Sequence, residues 1–164
     1  MSIIFNRTST RTYLEKEVEP EKIELLLRAG MAAPSAHNQQ PWEFYVVRDK
    51  AVLEELSKAS EFAICVKNAP LAIVVFQRDN LESPEYAMQD LGACCENILL
   101  EAVELGLGGV WLGVAPGKND RMAAVSKAVN APGNLQAFSI ISLGYPAKER
   151  QQKDRFDPER VHYI

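Results

Sequence analysis

Residues 85–105 form a helix-length segment whose apolar side chains run most of the way round. Leu91, Cys95, Ile98, Ala102 and Leu105 make one stripe at helical spacing, and Cys94, Leu99 and Val103 widen it. A helix that is apolar on nearly every side is buried, in a large core or against another chain. This one would be about 30 Å long, and a domain of 164 residues has little room to enclose it. The segment is therefore expected at a contact between two copies of the chain. Gly106, Gly108 and Gly109 follow it and read together as its stop.

The rest of the chain alternates short helices and strands. The spacing predicts a helix over 20–33, with Pro20 in its first turn and Ile23, Leu26, Leu27 and Met31 on one face. Pro34 ends it, because the residue before a proline avoids helical geometry. Residues 43–48 are β-rich and predict a strand. A short amphipathic helix is expected over 50–59, with Val52, Leu53 and Leu56 inward, and a buried strand over 71–77, entered through Pro70. After the long helix come a strand or extended loop at 110–115, a helix at 119–129 and a strand at 137–143 that ends at Gly144-Tyr145-Pro146. The tail from Ala147 to Ile164 is charged and shows little periodicity. Taken alone, this order suggests a doubly wound parallel sheet. No repeat or linker divides the chain, so one domain over 1–164 is expected.

The net charge of −4 argues against broad nucleic-acid binding, which needs a basic surface, but leaves room for a local basic pocket. No run approaches the roughly 18 apolar residues of a membrane span, and residues 1–12 lack the apolar core of a signal peptide. Cys65, Cys94 and Cys95 are odd in number and two of them are adjacent, so no disulfide framework is expected. Reduced thiols fit a cytoplasmic setting. Only His37 and His162 are there to join them, at no recognised ligand spacing, so no metal site is expected.

The chain has no Gly-x-Ser-x-Gly and no His-Glu-x-x-His, and its glycine cluster follows a helix, where a dinucleotide loop would precede one. A chain with this layout could still be an enzyme if a cofactor carries the chemistry. Three polar segments stand out. Arg7-Thr8-Ser9-Thr10-Arg11 sets two guanidiniums around three hydroxyls, which makes either a compact anion site or a solvated arm. The loop from Ala33 to Trp42 carries Asn38, Gln39 and Gln40, whose amides donate and accept. It suits a planar heterocycle, or is a turn closed by one core aromatic. Lys153-Asp154-Arg155-Phe156, with Arg160 and His162 beyond, is either a second basic cluster closing the same pocket or a charged tail.

In order along the chain, these segments resemble the nitroreductase-like flavoprotein superfamily. Arg7-x-Ser9-x-Arg11 resembles its phosphate-binding arm, and Pro34-Ser35-x-x-Asn38-x-Gln40-Pro41-Trp42 its most recognisable loop. Gln89-Asp90, Glu96-Asn97-Ile98-Leu99-Leu100 and Glu104-Leu105-Gly106-Leu107-Gly108 resemble its long central helix. Trp111-Leu112-Gly113 resembles the segment that passes the flavin ring, Ile141 to Pro146 the last strand, and Lys153-x-Arg155 the C-terminal phosphate contact. The resemblance spans nearly the whole chain.

The resemblance implies an α+β nitroreductase-like fold: a mixed, mostly antiparallel sheet wrapped by helices, in an intertwined homodimer with FMN at the interface. It implies that Arg7 and Ser9, with Thr8 between them, meet the FMN phosphate, and that Arg11 lies near the N1–C2=O edge of the ring. Pro34, Ser35 and Asn38 would reach the same flavin from the partner subunit. The backbone of Leu112 and Gly113 would lie near N5 and O4, and Lys153 and Arg155 would complete the phosphate site. The implied activity is an NAD(P)H oxidoreductase that reduces nitroaromatics, quinones or similar electron-poor acceptors by ping-pong hydride transfer. Flavin N5 would carry the chemistry, and no side chain would act as a catalyst. Two alternatives remain at this point. One is a specialised flavin enzyme of the same superfamily, of dehalogenase, flavin-cleaving or heterocycle-dehydrogenase type. The other is a flavin-binding protein with negligible turnover. Thr8 stands where many members carry a second arginine, and the chain lacks the insertion that helps cover the flavin in longer members.

Overall fold

The computed structural model describes residues 2–114, 120–148 and 151–164. Its helices are α1 (Ile3–Asn6), α2 (Pro20–Met31), α3 (Lys50–Ser57), α4 (Ala87–Glu104) and α5 (Arg121–Ala128), and its strands are β1 (Trp42–Val47), β2 (Leu71–Gln77), β3 (Gly108–Gly113) and β4 (Gln136–Gly144). Short 3-10 turns lie at Ala36–Asn38, Ala63–Asn68, Pro84–Tyr86 and Pro158–Arg160. Ala115 and Asn119, expected at the ends of a strand and a helix, lie outside the described residues.

The four strands form one sheet in the order β1-β2-β4-β3, and all three pairings are antiparallel. The doubly wound parallel sheet is thus excluded, and the α+β architecture is the one found. Among the described residues, the parallel part of the expected mixed sheet shrinks to a single bridge between Ser9 and Gly109.

Side chains alternate across a strand, and β2 is apolar on both sides because both faces are covered. Leu71, Ile73 and Val75 face α2 and α4 with Leu26, Leu91, Cys94, Ile98 and Ala102. Ala72, Val74 and Phe76 face the other side with Leu53, Leu56, Val66 and Val125. The start of α3 is capped by Asp49, whose carboxylate accepts from Ala51 N and Val52 N at 2.9 and 3.0 Å.

The long helix gives its main apolar stripe to its own chain. Leu91, Cys94, Cys95, Ile98 and Ala102 are completely buried within one chain, under α2 and the sheet. That stripe is used by the chain's own core, while Leu100 and Val103 stay half-buried and Met88 exposed on the rest of the helix. Its first residues differ from those expected, since 84–86 form a separate 3-10 turn before α4 begins. The three glycines also divide their roles. Gly106, with φ +72°, is the helix stop, whereas Gly108 and Gly109 already belong to β3.

Among the described residues, no helix is long and apolar enough to cross a membrane.

Candidate functional site

The site is organised by the N-terminal arm. After the single turn α1, which ends where Arg7 N donates to Ile3 O at 2.9 Å, the chain runs extended along β3. That strand is at the edge of the sheet, and the arm covers the edge, the usual protection for unpaired strand groups. Ser9 bridges Gly109, and Thr10 N donates to Gly109 O at 2.9 Å. A Cβ on Gly108 would lie 2.5 Å from Thr10 Oγ1, so only glycine admits the arm this close. Further on, the Tyr13 hydroxyl donates to Thr10 O at 2.7 Å and sits 2.6 Å from Ser142 Oγ. Burial pushes this hydroxyl well above the phenolic range, against the opposing pull of its Ser142 hydrogen bond. It therefore stays protonated and holds the arm on β4.

This anchoring sets Arg7 and Ser9 beside an open concavity of about 400 Å³. Glu96 and Leu99 of α4 and Trp111 and Gly113 of β3 complete its lining. The Arg7 guanidinium meets Glu96 Oε1 through Nε at 3.2 Å. Trp111 is held against Phe138, with ring centroids 5.7 Å apart. Phe138 belongs to a register shift between β2 and β4 at Val75/Phe76, and a bulge of this kind re-aims side chains. At the far end, Gly113 is exposed and a Cβ on it would meet nothing within 4 Å.

The donor set suits an anionic, partly planar ligand. A guanidinium and a hydroxyl offer hydrogen bonds to a phosphate. Trp111 and Leu99 offer an apolar wall, and the bare Gly113 backbone offers close approach. These features fit the phosphate and ring of FMN. The buried thiols play no part in the lining. Burial pushes Cys94 up, and pushes Cys95 up to about 12 despite a 3.2 Å contact between its thiol and Ser139 Oγ.

Of the residues expected from the sequence, one chain brings Arg7, Ser9 and Gly113 together. Leu112 is buried on the other face of the sheet, so only its backbone is available. Thr8 is half-buried and outside the lining, and Arg11 is exposed. Pro34 and Asn38 are exposed and Ser35 is half-buried, on a loop apart from the concavity. Lys153 and Arg155 are exposed on the tail. The tail is nevertheless tied to the arm. With its amide nitrogen facing the chain, Gln152 donates to the carbonyls of Ile4, Phe5 and Arg7 at 2.9, 2.9 and 3.1 Å. This places Lys153 one residue from the arm's first turn.

Sequence reasoning missed Glu96, Leu99 and Trp111 as lining residues. Glu96 did carry a signal: it is a charge in the middle of the most apolar segment of the chain. Trp111 stood in the segment likened to the one that passes the flavin ring, without a role of its own.

Residues 4–64 and 64–145 match the profile described as the Nitroreductase family. A protein of Archaeoglobus fulgidus with the provisional description NADH dehydrogenase/NAD(P)H nitroreductase is 44% identical over 167 residues, covering 99% of this chain and 95% of that one. An FMN-dependent nitroreductase structure from Clostridium difficile superposes with a TM-score of 0.91 at 32% identity, covering 99% and 97% of the two chains. A provisionally described nitroreductase from Desulfovibrio desulfuricans, solved in complex with FMN, gives a TM-score of 0.84 at 30% identity over 99% and 94%.

Proposed function

The chain belongs to the nitroreductase family, and on that premise we propose that it is an FMN-dependent NAD(P)H oxidoreductase acting on small electron-poor compounds such as nitroaromatics and quinones. The observation that carries this reading is the concavity in which Arg7 and Ser9 face Trp111 and Gly113 along α4. When bound there, FMN supplies the redox chemistry between NAD(P)H and the acceptor. The protein supplies binding, orientation and electrostatics.

Arg7 and Ser9 hold the phosphate, with the half-buried Thr8 setting the spacing between them. Lys153 and Arg155, brought near by the Gln152 tether, add positive charge at the same end. The backbone at Leu112 and Gly113 takes the edge of the ring.

We further assign the working unit to a homodimer. Pro34, Ser35 and Asn38 do not line their own chain's concavity, as expected if they reach the flavin of a second copy, while Arg11 meets the same flavin as Arg7 and Ser9. Exposed Ile4, Phe5, Met88, Phe156 and Ile164 supply apolar surface for a second copy to bury. The reduced, buried cysteines support a cytoplasmic setting. No general base is needed in the concavity, where Glu96 is the one carboxylate among the described lining residues and faces Arg7.

The test is the absorbance spectrum of the purified protein before and after anaerobic NADH or NADPH. A flavin spectrum that bleaches supports the cofactor and the reductant together. A flavin spectrum that neither nucleotide bleaches overturns the NAD(P)H assignment, and absence of flavin even after FMN addition overturns the site.

A further inference from the structure

The loop between α2 and β1 holds three non-glycine residues in the left-handed region: His37 at φ 49°, Asn38 at 53° and Gln40 at 46°. Side chains rarely adopt this conformation, and such strain persists only where surrounding contacts over-determine it. Those contacts are present, and they converge on Gln39. Its own backbone is ordinary, at φ −68°, and its side chain turns into the protein.

The Gln39 amide nitrogen donates to Asp90 Oδ2 at 2.7 Å and to Ser83 O at 3.0 Å, and its amide oxygen accepts from Ser83 N at 3.0 Å. Its backbone carbonyl accepts from Arg78 Nη2. Asp90, buried in the first turn of α4, also accepts from Ala36 N at 3.1 Å. A carboxylate is favoured at a helix N-terminus, so Asp90 is a fixed anchor for both ends of the turn. On the outer side, Ser35 Oγ accepts from Gln40 N at 3.0 Å, and Asn38 Oδ1 accepts from Gln40 Nε2 at 3.2 Å. Asn38 itself is exposed.

We propose that Gln39 and Asp90 are positioning residues of the flavin site, holding the loop in the one strained conformation that presents Ser35 and Asn38 to the FMN of the partner subunit. This rests on the function proposed above. The lock contributes preorganisation: the ordering and strain of the loop are met on folding, not on binding. It touches no ligand itself, because Gln39 and Asp90 are both buried.

The test is FMN affinity of the dimeric apoprotein, read by flavin fluorescence. Asp90→Asn and Gln39→Leu are compared with Leu53→Ala, a core deletion on the other face of the sheet, at matched loss of thermal midpoint. The loop variants are expected to bind FMN about tenfold more weakly than Leu53→Ala, the equivalent of one hydrogen bond. Equal affinities at matched stability would show a merely structural role and overturn the proposal. If Gln39→Leu does not fold, the more conservative Asp90→Asn carries the same comparison.

A double-mutant cycle separates this inference from the reading it rests on. Asn38→Gly alone should weaken FMN binding, and Gln39→Leu should add little in that background, because both remove the same contact. Full additivity overturns the positioning role while leaving Asn38 at the flavin. No effect of Asn38→Gly removes Asn38 from the flavin, and the proposal falls with it.

Discussion

Arg7 meets Glu96 through Nε, at 3.2 Å, and its terminal amino groups make no hydrogen bond among the described residues. The pair fixes the stem of the arginine along α4 and leaves the fork that recognises phosphate bidentately. It also places a carboxylate where an anion would bind. Glu96 is about half exposed, so the pair is worth no more than about 1 kcal/mol. Glu96→Gln is therefore expected to tighten FMN binding a few-fold and to leave riboflavin, which has no phosphate, unchanged. Arg7→Ala should weaken FMN by about 1.5–3 kcal/mol, again sparing riboflavin. Titrations of both flavins at two ionic strengths check this, and an equal effect on riboflavin would move Arg7 away from the phosphate.

Gly30 and Ile98 mark a close contact between α2 and α4. A Cβ on Gly30 would lie 2.9 Å from Ile98 Cγ1, 3.0 Å from Ile98 Cδ1 and 3.2 Å from Cys94 Sγ. Ile98 and Cys94 are fully buried and have nowhere to move. Alanine would gain about 1 kcal/mol in helix propensity, but overpacking a filled core costs about 1–3 kcal/mol. Gly30→Ala should therefore lower stability by up to about 2 kcal/mol net, seen as a lower urea midpoint with FMN affinity intact. A rise in the midpoint would mean that the two helices can separate at no cost.

The same contact explains what the sequence could and could not show. Periodicity located β2 at 71–77 and α2 from Pro20, because bounded apolar runs and a proline at a first turn are local signals. Strand direction was not local. β2 is covered on both faces, so its continuous apolar run reads alike in a parallel or an antiparallel sheet. The apolarity of α4 was ambiguous for a similar reason. A period says that a face is buried, not which surface buries it, and α2 comes close enough through Gly30 to bury the Cys94–Ile98 side within one chain. In the site, Arg7 and Ser9 were legible because anion donors are recognisable as residue types. Gln39 was not, because an amide that will face a ligand and one that will anchor a loop on Asp90 look the same in sequence.

The placement of Ser35 and Asn38 outside the concavity of their own chain makes assembly a test of the site. Sedimentation should give a dimer of about 37 kDa, twice the 18.3 kDa chain mass. Arg11→Ala should weaken FMN by about 1.5–3 kcal/mol, as expected when a charge-assisted hydrogen bond is lost, and slow flavin reduction by NAD(P)H. A flavin-bound monomer would place the whole site within one chain, and an Arg11→Ala variant that binds FMN and is reduced normally would move Arg11 away from the flavin.

Tyr145 ties the end of β4 to the start of α2, and the tie is pH-sensitive. Its hydroxyl donates to Glu19 at 2.9 and 2.7 Å to the two carboxylate oxygens, and accepts from Lys22 Nζ at 2.9 Å. Lys22 also donates to Leu105 O at 2.7 Å, closing the last turn of α4. Lys16 lies 3.8 Å over the Tyr145 ring and 3.4 Å from Glu19. The Tyr145 hydrogen bond, ahead of the nearby Lys16 charge, holds the Glu19 carboxyl down at about 2. A carboxyl lowered by folding adds stability above its unfolded value of about 4.3. That contribution is lost as pH falls through the folded value. In the native protein this part of the stability should therefore decline between about pH 5 and pH 2. Tyr145→Phe removes the largest cause, so its urea midpoint should depend less steeply on pH across that window, with the gap to the native protein narrowing at the acid end. Parallel curves for the two proteins would show that Tyr145 does not set the Glu19 proton affinity.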